Sequence, residues 1–257
     1  MTRLQIISDL HLEHRSNTVH YEDFIKPSAD ILALLGDIGS PNDAELEDFI
    51  AWCSQHFKYV LYVPGNHEYY SNDGEPQYLL HEKLHMICQN FMNVHLLDNK
   101  MFELNDVVFI GSTLWSDIPP SKDEFLAKYM NDFRLIFVAP HQRMKPHHTR
   151  IEFVKNKAFI ENTIAEYQGK NKKIVVLTHH APSLEGTSAP IHNTSDSRYA
   201  FASKLSCHHA PNAIRLWCCG HTHYNFHHFK EGYELISNQV GYGKSIDGYN
   251  PELSILL

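Results

Sequence analysis

The chain has no C-x-x-C pair, no long apolar run, no excess of basic residues, no internal repeat and no low-complexity tract. Each absence removes a class. A membrane-spanning helix needs roughly 20 consecutive apolar residues, and none is expected here. A formal net charge of -8 argues against a broad electrostatic grip on nucleic acid, which demands a basic face. The five cysteines, Cys53, Cys88, Cys207, Cys218 and Cys219, are odd in number, and the neighbours Cys218 and Cys219 are poorly placed to bridge each other. Free, buried thiols in a reducing compartment are the simplest account. At the front, Arg3-Leu4-Gln5-Ile6-Ile7 leads straight into Ser8-Asp9 with no secretory signal, so the cytoplasm is the expected location. No linker divides the chain, and 257 residues suit one large α/β domain, so residues 1–257 are expected to fold as a single domain.

What is present is a core and much histidine. A composition 43% hydrophobic and 20% charged suits a globular protein with a substantial core. Six short apolar runs, Leu4–Ile7, Ile31–Leu35, Tyr59–Val63, Val107–Ile110, Ile174–Leu177 and Ile214–Cys218, read as strands buried on both faces. Between them lie helical patterns. One follows Ser40-Pro41-Asn42, with Leu46, Phe49, Ile50, Cys53 and Phe57 at helical spacing, and a second runs from about Glu75 to Gln89. A third is expected to begin at Thr149-Arg150-Ile151-Glu152, which has the form of a capping box, with Ile151, Val154 and Ala158 as its apolar stripe. Tyr224–Lys230 and Tyr233–Ser237 read as an antiparallel hairpin. The irregular segments 116–148 and 181–212 both follow strand ends, where each could wall or cover a cleft. Of the 20 histidines, His141, His147-His148, His208-His209 and His227-His228 read as solvated surface.

Five of the six strands end directly in a segment that carries chemistry. These are Asp9-Leu10-His11, Gly36-Asp37, Gly65-Asn66-His67-Glu68, Thr178-His179-His180-Ala181-Pro182 and Gly220-His221-Thr222-His223. In α/β sheets ligands gather outside the carboxyl ends of strands. A first-row divalent ion with mixed nitrogen and oxygen donors wants imidazoles, carboxylates and amide carbonyls converging there from several elements. Asp9 and His11 stand two apart, so an extended backbone would direct both to one side. Asp37 is an acid delivered by a wholly apolar run, and a buried acid needs a counter-charge. Asn66 offers a neutral oxygen. His67 suits a general acid, with a third-ligand role as the alternative. Of the adjacent His179 and His180 one is expected to bind metal and the other to pack or to contact substrate. His221 and His223 would lie on one side. Together the five segments point to hydrolysis of a phosphate ester at two metal ions, whose charge would invert the sign of an acidic protein locally.

This ordered set, D-x-H, G-D, G-N-H-E, H-H-A-P and G-H-x-H, resembles the calcineurin-like metallophosphoesterase superfamily, and it runs from Asp9 to His223. The resemblance implies a four-layer α/β/β/α sandwich, two mixed β-sheets flanked by helices, with the metal site at the strands' carboxyl ends. It implies that Asp9, His11 and His223 bind one ion, that Asn66, His179 and His221 bind the other, and that Asp37 bridges them. The ions would be manganese, iron or zinc, about 3.5–4 Å apart, and their hydroxide would attack phosphorus in line while His67 helps the alcohol leave. No covalent phospho-enzyme is expected. Glu68 and Asp43 are candidate partners for His67, with Glu68 rather a brace for its turn.

Gly111-Ser112-Thr113-Leu114-Trp115-Ser116-Asp117 and Met130-Asn131-Asp132-Phe133-Arg134 resemble segments of a bacterial-type subgroup with poorly defined substrates. His180 and Arg134 are candidate substrate contacts, a surface ion pair being the alternative for Arg134. In Ser237-Asn238-Gln239-Val240-Gly241-Tyr242-Gly243, Gln239 and Val240 replace the Pro-Arg of some subgroup members, which weakens the case for an anion-binding loop. The expected partner is a small phosphorylated molecule, a phosphodiester ahead of a monoester, with nucleic acid not favoured. The alternatives are a phosphomonoesterase or nuclease of the same superfamily, a mononuclear zinc hydrolase, and a protein-binding scaffold. The mononuclear reading leaves Asp9, Asp37 and Asn66 without a task, and the scaffold reading is set against a chain that retains every metal-ligand position of the pattern.

Overall fold

A strand that is apolar at every position must be covered on both faces, and six such strands require a multilayered fold. The computed structural model describes residues 2–15, 19–205, 213–243 and 245–257. Cys207 and the His208-His209 pair lie outside the described residues. The first sheet aligns β1 (Arg3–Ile7), β2 (Ile31–Leu35), β3 (Tyr59–Val63) and β4 (Val94–Leu96) in parallel, and β13 (Ser254–Leu256) pairs antiparallel with β1. At the centre of the second sheet β6 (Val107–Ser112), β9 (Lys173–Thr178), β10 (Ile214–Cys218) and β12 (Tyr233–Ile236) run parallel. Its edges, β5 (Lys100–Leu104) and β11 (His227–Lys230), are antiparallel. A small ribbon pairs β7 (Phe137–Ala139) with β8 (Gln142–Arg143).

The two-residue period of β2 explains the layering. Ile31, Ala33 and Leu35 pack against Val107 and Phe109 of β6, Val175 and Leu177 of β9, and Leu216 and Cys218 of β10, forming the layer between the sheets. Leu32 and Leu34 face outward, toward Leu46, Phe49, Ile50 and Cys53 of α1 (Ala44–His56) and Leu84 and Cys88 of α2 (Gln77–Gln89). On the far side Val108, Ile110, Val176 and Trp217 meet Phe153, Ile160 and Ile164 of α5 (Pro146–Tyr167). Each such buried side chain contributes about 1.5–3 kcal/mol. The result is the expected four-layer α/β/β/α sandwich of two mixed sheets.

The third helix departs from its expected start and face. α5 begins at Pro146, whose fixed φ suits the first helical position, so Thr149 lies within the first turn and donates to the Pro146 carbonyl at 2.8 Å. His148 Nδ1 instead accepts from the Lys145 amide at 2.9 Å. Ile151, Val154 and Ala158 are exposed, and Phe153, Ile160, Ile164 and Tyr167, which bury more apolar area, face the sheet. The hairpin forms as expected between β11 and β12, starting three residues late. Short helices α3 (Asp123–Tyr129) and α4 (Asp132–Leu135) occupy the first irregular segment, and α6 (Arg198–Phe201) occupies the second.

Candidate metal centre

Each motif leaves the carboxyl end of a parallel strand. Asp9 and His11 follow β1, Asp37 follows β2, Asn66 and His67 follow β3, His179 follows β9, and His221 and His223 follow β10. At five of these residues the backbone is left-handed, including Asp9 and His11, where an extended backbone is expected. The φ values are 55° at Asp9, 51° at His11, 54° at Asp37, 69° at His221 and 48° at His223. For a residue with a Cβ this conformation costs about 1–2 kcal/mol. Strain gathered on neighbouring side chains marks a site that the surrounding fold over-determines.

The restraints are visible. Past the strand ends the first two loops continue to pair, Asp9 N to the Gly36 carbonyl at 3.0 Å and His11 N to the Asp37 carbonyl at 2.9 Å. Glu68 is fully buried and accepts from the amides of Asp37 (3.0 Å), Ile38 (2.8 Å) and Gly65 (2.7 Å) and from the Tyr62 hydroxyl (2.8 Å), tying the β2 and β3 loops together. Glu68→Ala should therefore cost about 3 kcal/mol of stability by stranding several buried donors. Denaturant titration checks this, and a loss under about 1 kcal/mol would contradict the brace. Gly36 has φ 83°, and a Cβ there would meet His179 Nδ1 at 2.5 Å. At Gly65 a Cβ would lie 2.2 Å from Asp37 Oδ1. Both glycines let the acid and imidazole approach the backbone.

Two donor groups result. In one, Asp9 Oδ1 lies 3.3 Å from His223 Nε2, and His11 Nε2 lies 3.2 Å from the same nitrogen. In the other, His179 Nε2 lies 3.0 Å from His221 Nδ1 and 2.9 Å from Asn66 Oδ1. Asp37 stands between, with Oδ1 3.4 Å from His179 Nε2 and Oδ2 3.9 Å from His11 Nε2.

The hydrogen bonds around these donors test whether a cation fits. His179 Nδ1 donates to the Leu35 carbonyl at 2.8 Å, which turns Nε2 inward. The Asn66 amide nitrogen is committed to Asp132 Oδ1 (2.8 Å) and the Tyr70 hydroxyl (3.1 Å), so its oxygen faces that nitrogen. His11 Nδ1 turns to Glu13 Oε1 at 3.2 Å and leaves Nε2 opposite His223 Nε2. Between His179 Nε2 and Asn66 Oδ1 acceptor thus faces acceptor, an arrangement that calls for a cation in between, whether a proton or a metal ion. The charges agree. Burial opposes ionisation of Asp37, yet His179, His67 and His11 hold its carboxyl well below the usual range. Burial and the rings of His180 and His179 hold His221 well below its ordinary value, leaving a neutral lone pair.

His67 stands apart. Its Nδ1 meets Glu13 Oε1 at 2.9 Å and its Nε2 meets the Tyr242 hydroxyl at 3.1 Å, so both ring nitrogens have partners outside the donor groups. Burial lowers its pKa, but Asp37, Glu13 and Asp132 outweigh that and hold it up at about 9. Burial raises that of Glu13, and His11 and His67 bring it down to about 2. The partner of His67 is thus Glu13, not Glu68 or Asp43; Asp43 lies at the start of α1.

Neither candidate substrate contact, His180 or Arg134, is among the described residues that line the cleft. His180 is fully buried, its Nδ1 3.2 Å from the Thr113 carbonyl and its ring 4.2 Å from that of His221. Burial and His179 push it down to about 3, so it is a neutral packing ring behind the site. Arg134 is exposed, donates to the Lys128 carbonyl and does not line the cleft. The cleft in front of the donors has a volume of about 490 Å³. Both irregular segments wall it, the first through Tyr129 and Met130, the second through Leu184, Arg198 and Phe201.

Fold and site together describe a metal-dependent hydrolase of phosphate esters. The model of the calcineurin-like phosphoesterase family matches residues 2–225, and the chain belongs to that family. It is 35% identical, over 98% of its length and 95% of the relative's, to uncharacterized protein L509 of Acanthamoeba polyphaga mimivirus. The fold is similar to that of phosphopantetheinyl hydrolase (PptH) from Mycobacterium tuberculosis, with a TM-score of 0.70, 19% identity, and 94% of this chain and 90% of that one covered. It is also similar to a dimetal phosphatase from Danio rerio, with a TM-score of 0.56, 13% identity, and 94% and 88% covered. Among the described residues no helix is long and apolar enough to cross a membrane.

Proposed function

We propose that this protein hydrolyses a small-molecule phosphodiester at a centre of two metal ions. The observation that carries the reading is Asp37, whose two carboxylate oxygens face different donor groups. Asp9, His11 and His223 would hold one ion, Asn66, His179 and His221 would hold the other, and Asp37 would be shared between them. Mixed imidazole, carboxylate and amide donors suit manganese, iron or zinc. When bound, two such ions supply hydroxide for in-line attack near neutral pH and neutralise charge on the phosphate. His67 gives its Nε2 proton to the departing alkoxide, and Glu13 holds the ring so that Nε2 faces the cleft.

Asp132 is a positioning residue in this reading, because it fixes which way the Asn66 amide points. Asp132→Ala should weaken one of the two ions by roughly 10–100-fold and spare the other. Metal titration checks this, and equal weakening of both would contradict it.

The cleft favours a small diester. Arg198 is the only Lys or Arg among its described lining residues, beside the apolar Tyr129, Met130, Leu184 and Phe201. A long polynucleotide or a dianionic monoester would call for more positive charge. The same reading takes residues 1–257 as one domain, since β13, beyond the matched segment, completes the first sheet against β1. The free, buried Cys53, Cys88, Cys218 and Cys219 fit a reducing compartment, here the cytoplasm. A rate screen over aryl monoesters and diesters, cyclic nucleotides, glycerophosphodiesters, nucleotides and single-stranded nucleic acid tests the substrate class. Fastest turnover is expected on a small diester. Preference for monoesters or nucleic acid would overturn that choice, and no turnover with metals bound would favour a scaffold.

A further inference from the structure

The segment Ser237 to Gly243 does more than close the fold. It runs beside the exit of β1, with Val240 N bonded to the Ser8 carbonyl at 3.0 Å and Gly241 N to the Asp9 carbonyl at 2.9 Å. Gln239 is fully buried, and its side-chain oxygen accepts from the His223 amide at 2.6 Å. The segment thereby helps to set the Gly220–His223 turn. It then carries Tyr242, half exposed, to the cleft wall.

Tyr242 is held there from both sides. Its ring stacks on that of His11 with centroids 4.1 Å apart at 26°. The Arg15 guanidinium donates to the carbonyls of both flanking residues, Gly243 at 2.8 Å and Gly241 at 3.0 Å, and to Leu10 at 2.7 Å. One side chain therefore clamps the tyrosine's own peptide neighbours to the β1 loop. A tyrosine that merely filled surface would not need this. The consequence is the position of its hydroxyl, 3.1 Å from His67 Nε2. Because Nδ1 is engaged by Glu13, Nε2 is the nitrogen of that ring left to meet a leaving oxygen, and Tyr242 faces it across the cleft.

We infer that Tyr242 is a catalytic residue, a hydrogen-bond donor to the leaving-group oxygen that acts together with His67. As the bond from phosphorus to that oxygen breaks, the Nε2 proton passes from His67 to the oxygen and the alcohol departs. The Tyr242 hydroxyl keeps its proton and contributes only a hydrogen bond, which strengthens as negative charge collects on the oxygen. In the free enzyme the same hydroxyl bonds to Nε2 and holds the imidazole toward the cleft. This rests on the reading of His67 as proton donor.

The test compares Tyr242→Phe, which keeps the ring stacked on His11, with His67→Ala and the double variant, each reconstituted with metal and assayed for metal content. The substrates are a series of diesters spanning leaving groups from nitrophenol to simple alcohols. Tyr242→Phe should retain the wild-type metal content and lose roughly 10- to 100-fold in kcat/KM on alcohol leaving groups, with little change on nitrophenol. In the His67→Ala background the same substitution should cost much less, because the two groups act on one oxygen. A uniform loss across leaving groups, full additivity with His67→Ala, or no loss at all would overturn the role of Tyr242. If His67→Ala itself shows no dependence on the leaving group, the proton-donor reading fails instead, and the two failures are told apart.

Discussion

His67→Ala should slow hydrolysis of esters with alcohol leaving groups by roughly 10²–10⁴-fold, the usual contribution of a general acid, and slow nitrophenyl esters far less. The ring touches neither donor group through a free nitrogen, since Glu13 and Tyr242 occupy both. Metal content should therefore remain at the wild-type level. Leaving groups that depart readily as anions do not need the proton, which is why the loss should scale with leaving-group basicity. Equal slowing across the series, or loss of a metal ion, would return His67 to the alternative of a third ligand. Measured kcat/KM on a graded series, with metal analysis of the same samples, separates the two.

Asp37→Asn carries the other large effect. The substitution nearly preserves shape and removes one negative charge at the point where the two donor groups meet. Each remaining group keeps three side-chain donors, so neither ion loses its whole shell, but both lose the carboxylate they share. Affinity for both ions should fall together, by 10-fold or more each on the scale of roughly 10–100-fold seen for weaker perturbations around metal ligands. Turnover should drop by about 10³-fold or more, as the hydroxide supply and the charge clamp are both compromised. Loss of one ion with the other retained at wild-type affinity would assign Asp37 to a single site.

Much of this was legible in the sequence for a physical reason. Strands buried on both faces must be apolar throughout, and their polar ends then stand out, so Asp37 after Ile31–Leu35 and His221 after Ile214–Cys218 announce themselves. The glycines beside them report close approach. The conformation of the turns was not legible, because extended spacing rules fail where the fold imposes left-handed backbone on Asp9 and His11. Nor were the groups that orient the site. Glu13 stands two residues beyond His11, whereas Asp132 and Tyr242 stand 66 and 175 positions from their partners Asn66 and His67; only the packed loops bring Asp132 to 2.8 Å from the Asn66 amide. The start of α5 is masked because Thr149-Arg150-Ile151-Glu152 mimics a capping box, while Pro146 sets the real first turn. His180 shows the same limit: adjacent histidines advertise chemistry equally, both rings are buried, and only their partners separate them, His179 Nε2 facing Asn66 and His221 while His180 turns to the Thr113 carbonyl.

Two metal ions sharing one carboxylate should be countable by metal titration of the stripped protein. With manganese or zinc, two equivalents should bind per chain, and Asp37→Asn should weaken both. Saturation of the wild-type protein at one equivalent would contradict the pair.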